Sequence, residues 1–204
     1  MKKGIILAIG FILGVCGPAF PMPVQWDISD GGNGHWYQVV ENTDPHGVWT
    51  WNDANDFASS ASHNGMQGHL ATITSEAEND FVSSKAFLGS VHGGLFAKTI
   101  WLGGFQDTDA TGLEDGWHWV TGETWGVTDW RSGQPDNSSH NFLAMAAGSI
   151  SPGSGWYDMP DNGKFWRDIN TAYIIEYEPA SVPIPGSALL LVSGLCFIFR
   201  LRRI

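Results

Sequence analysis

The 21 acidic residues of this chain all lie between Asp27 and Glu178, and this confinement limits which part can fold as a water-exposed domain. Five of the ten basic residues lie at the two extremes, so the middle has five basic residues, 21 acidic ones and a formal charge of −16. Each end is an apolar run flanked by basic residues. Because 204 residues hold one ordinary core, we expect one acidic domain between two processing or membrane segments.

This acidity excludes several classes of partner. An acidic surface repels phosphate backbones and anionic lipid headgroups, which argues against nucleic-acid binding and against a basic membrane-surface role. It suits cations and neutral ligands, although acidity also keeps an exported protein soluble. The sequence has no serine or cysteine nucleophile elbow, HExxH motif or phosphate-binding glycine loop, so we expect a binding role without catalytic residues.

The amino-terminal residues 1–20 have the layout of a secretory signal peptide. Two lysines precede an apolar run from Ile5 to about Cys16, and small residues follow. Lipidation of Cys16 is the less favoured alternative, because bulky Val15 precedes it. The second cysteine, Cys196, also lies in a terminal segment, so we expect a domain without disulfides that is stabilised by packing and by any bound ion.

The carboxy-terminal residues 182–204 combine a Pro-Ile-Pro turn, an apolar run over 188–199 and an arginine cluster. The run is shorter than the ~20 residues that cross a bilayer comfortably, but with its flanks it is expected to insert as a transmembrane helix. The segment resembles the PEP-CTERM sorting signal of Gram-negative exopolysaccharide-producing bacteria, although the motif at 183–185 lacks the usual central glutamate. The resemblance implies an exosortase-type processing enzyme as a partner. It also implies an inner-membrane-anchored precursor and a mature protein that is secreted or held at the cell surface.

The middle of the chain predicts two helices among strands. Thr50 is a candidate N-cap for a helix with apolar positions Trp51, Ala54, Ala58 and Ala61. A capping box of Ser75 and Glu78 predicts the second helix, with Ala77, Phe81 and Val82 as its buried stripe. Strand-like runs lie at 35–40, 68–74, 99–105, 117–120 and 171–178, and the first and last of these are expected to pair. A long loop fills 121–139.

This order of elements over 33–179 resembles the C-type lectin-like domain. The motifs that carry the resemblance are TWNDANDF, GHLATITSEAENDF, IWLGG, WHWVTGETW, GQPDN, GWYDMP and AYIIEYE, in the family's order. The resemblance implies an α+β fold with two helices, small antiparallel sheets and a long ligand-binding loop. The missing cysteines are the departure, since vertebrate members carry two disulfides.

The resemblance also implies a calcium-dependent sugar site in the long loop. In sugar-binding members the loop supplies an amide, a cis proline and a carboxylate, and a bound Ca²⁺ coordinates two vicinal sugar hydroxyls. Gln134, Pro135 and Asp136 match this motif, and Asp158 matches a further carboxylate ligand, so Gln134, Asp136 and Asp158 are the candidate metal ligands. The candidate carbohydrate-binding residues are Gln134, Pro135, Asp136, Asn137, His140, Trp156 and Asp158.

The motif also departs from the family at two ligand positions. His140 takes the place of a glutamate and Tyr157 that of an asparagine, while Asp168 is an alternative match to Asp158. Two functions therefore stay open. One is an exported carbohydrate-binding module that uses Ca²⁺ and acts on exopolysaccharide or cell-surface glycans. The other is a metal-independent structural or protein-binding component of the extracellular or biofilm matrix.

Overall fold

A computed structural model of the chain describes residues 22–42, 47–84, 98–147, 155–162, 164–165 and 168–179. The predicted signal peptide, the predicted sorting tail and both cysteines lie outside these residues. Within the described ranges, no helix has the length and apolarity that a membrane crossing requires.

Two helices and ten strands form the described part of the domain. The helices are α1 (Trp51–Ser60) and α2 (Glu76–Ser84), and a short 3-10 turn spans Ile28–Asp30. The strands are β1 (Val24–Gln25), β2 (Trp36–Glu41), β3 (Ser62–His63), β4 (Met66–Leu70), β5 (Lys98–Gln106), β6 (Trp117–Trp119), β7 (Phe142–Ala147), β8 (Trp156–Met159), β9 (Lys164–Phe165) and β10 (Asp168–Tyr177).

The main sheet has the order β1-β2-β10-β5-β7-β8. The predicted pairing of the terminal strands is confirmed, because β2 and β10 run antiparallel from Trp36–Tyr177 to Glu41–Ala172. The strands pair antiparallel as expected, except that β10 and β5 are parallel, which makes the sheet mixed. A parallel pair needs a crossover, and here the long chain segment between β5 and β10 provides it. The fold class is nevertheless the predicted α+β arrangement.

The predicted central strand, β5, is buried on both faces. Ile100 and Leu102 point into one apolar cluster with Phe81 and Val82 of α2, and Trp101 points into a second cluster. This division follows from the alternation of side chains along a strand. The sheet therefore separates two cores.

The first helix follows its sequence prediction. Thr50 Oγ1 accepts the Asp53 N–H at 3.0 Å, and the side chains of Trp51, Ala54 and Ala58 are buried. Ala61 lies just past the helix end as its C-cap. The predicted N-terminal boundary is confirmed by the cap itself.

The second helix departs from its prediction in two details. Ser75 Oγ accepts the Glu78 N–H at 3.1 Å, but the Glu78 carboxylate accepts the Thr74 N–H at 2.7 Å and is buried. Only half of the capping box is therefore formed. Ala77 is exposed, so the predicted buried stripe was wrong there, while Phe81 and Val82 are buried as expected. Glu78 is buried because its hydrogen bonds compensate for desolvation.

Candidate ligand-binding loop

The loop of residues 130–140, called the QPD loop below, rests on an aromatic cluster. Trp130 forms a β-bridge to Trp156, whose backbone N–H donates to Asp129 O at 2.6 Å. The buried Trp156 indole N–H donates to Asn79 Oδ1 of α2 at 3.0 Å. The rings of the cluster lie 4.6–6.3 Å apart and belong to Trp117, Trp119, Trp125, Trp130 and Trp156. Trp156 thus packs beneath the loop as a fully buried residue, and neither face of its ring is accessible to a sugar.

Asp158 of β8 is the centre of the loop's polar network. Its side chain is buried, with 2% of the residue exposed. Its Oδ1 accepts the Asp136 backbone N–H at 3.1 Å, and its Oδ2 accepts the Asn137 backbone N–H at 2.9 Å. Its own N–H donates to Gln134 Oε1 at 3.3 Å. A strand residue therefore holds the loop through three hydrogen bonds.

The Gln134–Pro135 peptide is cis, and the residues on either side of the proline contact each other. Gln134 Nε2 donates to Asp136 Oδ2 at 2.9 Å, and Asp136 is exposed to solvent. The structure thus brings together the three predicted metal ligands, Gln134, Asp136 and Asp158. Asp168 begins β10, where it pairs with Phe165 of β9.

His140 lies beside the Asp158 carboxylate, whereas the Asn137 side chain bonds within the turn. His140 is 6% exposed, and its Nδ1 lies 3.9 Å from Asp158 Oδ2. Single ligand atoms of Asp136, His140 and Asp158 all lie within 4.8 Å of one another. The Asn137 side-chain oxygen accepts the Ser139 N–H at 3.0 Å and the Ser139 hydroxyl at 2.8 Å, so this amide shapes the turn.

Burial and nearby charges both act on the pKa of Asp158. Burial raises the pKa of Asp158, and the negative charge of Asp136 adds to this effect, whereas the backbone N–H groups of Asn137 and Asp136 and the nearby His140 lower it. The net shift of the Asp158 pKa is upward, chiefly because burial disfavours the charged form. A cation bound beside Asp158 would stabilise its charged form.

The donor set fits a hard cation in part. Ca²⁺ takes six to eight oxygen ligands, and Gln134, Asp136 and Asp158 supply an amide and two carboxylates. The remaining positions are left to backbone carbonyls, water or ligand hydroxyls, because imidazole is a poor calcium ligand.

Sequence reasoning missed one contact beside the loop. The Arg131 guanidinium donates to the Tyr157 hydroxyl and lies 5.4 Å from the centre of its ring. Tyr157 precedes Asp158 on β8, so its side chain projects from the opposite face of the strand. The alternation of side chains along a strand is the sequence signal that places Tyr157 and Asp158 on opposite faces of β8.

No family model matches the chain. The chain is 32% identical over 170 residues to halomucin of Haloquadratum walsbyi, covering 76% of this chain and 2% of that protein. It is 26% identical over 119 residues to lithostathine of Rattus norvegicus, covering 58% of each. The chain thus spans less than two thirds of the length of these relatives.

Two solved structures resemble the described domain. C-type lectin CEL-I from Cucumaria echinata has a TM-score of 0.53 and 20% identity, covering 71% of this chain and 90% of that chain. Human lithostathine has a TM-score of 0.51 and 20% identity, covering 71% of this chain and 92% of that chain. Together with the element order and the geometry of the QPD loop, these likenesses identify the C-type lectin-like fold in this chain.

Proposed function

We propose that this chain is an exported carbohydrate-binding module that holds a glycan at the QPD loop through a bound Ca²⁺. The observation that carries the proposal is that carboxylate oxygens of Asp136 and Asp158 lie within 4.8 Å of each other. The Gln134 side chain is hydrogen-bonded to both of these residues. The ligand class is exopolysaccharide or cell-surface glycan. The likeness of the fold to a C-type lectin supports a sugar as the ligand class.

Calcium would be held by Gln134 Oε1 and by the carboxylates of Asp136 and Asp158. When bound, the ion supplies coordination to two hydroxyls of a neutral ligand. The acidic surface is compatible with this role, because it attracts a divalent cation and does not repel an uncharged sugar. Asp136 and the nearby Ser138 and Ser139 are exposed, so the loop is open to a ligand from solvent.

A calcium titration tests the metal part of the proposal. In isothermal titration calorimetry, the full chain is expected to bind one Ca²⁺ at the loop with a Kd of about 1 mM, as in weak extracellular sites. Asp136→Asn is expected to weaken binding about tenfold, because it removes an exposed carboxylate ligand. Asp109→Asn in the exposed loop after β5 removes the same charge elsewhere and is the matched control. Equal affinities of both variants would contradict calcium at the QPD loop.

One observation favours the second candidate, a metal-independent structural or protein-binding component of the extracellular matrix. Both Asp158 oxygens already accept backbone N–H groups, so the loop is closed by hydrogen bonds within the chain. Binding to matrix polysaccharide or protein that is unchanged by a calcium chelator would support this candidate and contradict the calcium-bridged one.

Export and tail processing belong to the same proposal. The layout of residues 1–20 and 182–204 supports a secreted or cell-surface product that an exosortase-type enzyme releases from the inner membrane. Mass spectrometry of the mature protein from its native host tests this. An intact carboxy-terminal arginine cluster would contradict removal of the tail.

A further inference from the structure

A second group of titratable side chains lies outside the QPD loop, where the terminal strands meet. Glu176 of β10 pairs with Tyr37 of β2 on one side and with His69 of β4 on the other. His35 immediately precedes β2, and Glu178 immediately follows β10. One ligand atom each of His35, Glu176 and Glu178 lies within 4.8 Å of the other two. These three residues are called the His35 cluster below.

Glu176 is the fixed member of the His35 cluster. It is 1% exposed, and its Oε2 accepts the Thr72 N–H at 2.9 Å and lies 3.2 Å from the Thr72 hydroxyl. Its other oxygen, Oε1, lies 2.6 Å from His35 Nδ1. A carboxylate whose second oxygen is held by the protein is pre-oriented in the way that supporting hydrogen bonds orient metal ligands.

Glu178 is oriented by a second histidine. His69 Nε2 lies 2.9 Å from Glu178 Oε1, and His69 Nδ1 lies 2.9 Å from the Leu70 carbonyl oxygen. A carbonyl oxygen accepts hydrogen bonds and cannot donate them, so His69 Nδ1 carries a proton. For Nε2 to donate to Glu178 as well, the imidazole ring must be protonated on both nitrogens. His69 thus fixes Glu178 without itself joining the His35 cluster.

The charges around the cluster are unbalanced. Glu78 adjoins it, because the Tyr37 hydroxyl contacts Glu78 Oε1 and lies 3.1 Å from Glu176 Oε1. Tyr37 has one hydroxyl hydrogen and therefore satisfies one of these two oxygens. Burial lowers the pKa of His35, but the hydrogen bond and charge of Glu176, with the charges of Glu178 and Glu78, outweigh it and raise that pKa. The surroundings therefore stabilise positive charge at this position.

We propose that His35, Glu176 and Glu178 form a second metal site, which takes a divalent transition metal such as Zn²⁺ with water in the fourth position. One imidazole and two carboxylates are a donor set that zinc accepts and that calcium does not favour. The side chains of His35 and Glu178 are 22% and 35% exposed, which gives the ion a path from solvent. The ion replaces the proton between His35 and Glu176.

Such an ion ties the two ends of the domain together. His35 and Glu176 are 141 residues apart in the sequence, and the domain has no cysteine with which to form a disulfide. An ion that binds the folded chain and not the unfolded one raises the unfolding temperature by mass action. Zinc is therefore expected to stabilise the domain.

Calorimetric titration of the tag-free full chain with ZnCl₂, in millimolar CaCl₂, tests the proposal. The wild type is expected to bind one Zn²⁺ at the His35 cluster, and His35→Ala and Glu178→Gln are each expected to weaken that binding at least about tenfold. His118→Ala, in an exposed pair with Asp107, and His140→Ala in the QPD loop are expected to leave it unchanged. Co²⁺ in place of Zn²⁺ is expected to give the visible spectrum of a four-coordinate site.

Glu178→Gln keeps the experiment informative if His35→Ala does not fold, because Glu178 is partly exposed and the change conserves its shape. Zinc is expected to raise the unfolding temperature of the wild type by more than that of Glu178→Gln at the same zinc concentration. The proposal is overturned if the wild type binds no Zn²⁺ at micromolar concentration. It is also overturned if His140→Ala abolishes zinc binding while His35→Ala and Glu178→Gln retain it.

Discussion

Asp158 accepts the backbone N–H of Asn137 at 2.9 Å, and this bond joins strand β8 to the QPD loop 21 residues earlier in the sequence. The second Asp158 oxygen makes the same kind of contact with Asp136. The carboxylate therefore anchors the loop, and the proposed function gives it a further role as a calcium ligand.

Asp158→Ala is expected to lower the free energy of unfolding by about 2 kcal/mol, because two backbone N–H groups lose a charged acceptor. Urea denaturation followed by tryptophan fluorescence measures this, since the aromatic cluster lies under the loop. Asp136→Ala is the control, and we expect a change within about 0.5 kcal/mol because that side chain is exposed. Equal stability of the wild type and Asp158→Ala would show that Asp158 does not anchor the loop.

Calcium affinity is expected to fall as the pH is lowered. Burial, with the charge of Asp136, raises the pKa of Asp158, so this ligand takes up a proton at higher pH than an ordinary aspartate. Ca²⁺ competes with that proton, and affinity is therefore lost as the pH falls through the raised pKa. Calcium titrations at a series of pH values measure the loss. An affinity that stays constant down to the ordinary aspartate range would contradict this placement of the charge.

The stability of the metal-free domain is expected to depend on pH through the titration of His69. Burial lowers the pKa of His69, but the hydrogen bond to Glu178, with the nearby charges, outweighs it and raises that pKa. A raised histidine pKa contributes stability that is complete below the unfolded value of 6.5 and is lost as the pH rises through the folded value. In denaturation experiments with EDTA, His69→Gln is expected to reduce the loss of unfolding free energy that accompanies this rise in pH. His118→Gln, at an exposed pair, should leave this loss as it is in the wild type.

Thr50→Ala is expected to cost about 1 kcal/mol of unfolding free energy, because the Asp53 N–H at the start of α1 loses its acceptor. Ser59→Ala, on the exposed face of the same helix, is the control and is expected to change stability by less than about 0.5 kcal/mol. Thermal or urea denaturation distinguishes the two. A cost at Ser59 equal to that at Thr50 would argue against a specific capping effect.

The fold could be predicted where local patterns agree with tertiary packing. The pattern of apolar residues predicts three features that the structure contains: the Thr50 cap, the pairing of β2 with β10, and the central position of β5. Each of these elements buries a continuous apolar face. Helical periodicity alone predicts that Ala77 is in the core, but it is exposed. Its neighbour Glu78 is buried instead, because hydrogen bonds from Thr74, Tyr37 and Asn33 to its carboxylate outweigh hydrophobicity.

The candidate site was predictable to a smaller degree. The family motif located Gln134, Asp136 and Asp158, but it did not reveal that the Asp158 carboxylate holds the loop through backbone N–H groups. The His35 cluster had no local signal, because its members are separated by up to 143 residues and meet through the pairing of β2 with β10. Long-range contacts of this kind follow from topology and not from a motif.

The most direct test of the proposed function is retention of the purified full chain on a panel of immobilised glycans and exopolysaccharides, in millimolar Ca²⁺ and in EGTA. We predict binding to at least one glycan in Ca²⁺, loss of that binding in EGTA and in Asp136→Asn, and full binding by Asp109→Asn. Binding to no glycan, or glycan binding that persists in EGTA and in Asp136→Asn, would contradict calcium-dependent recognition at the QPD loop.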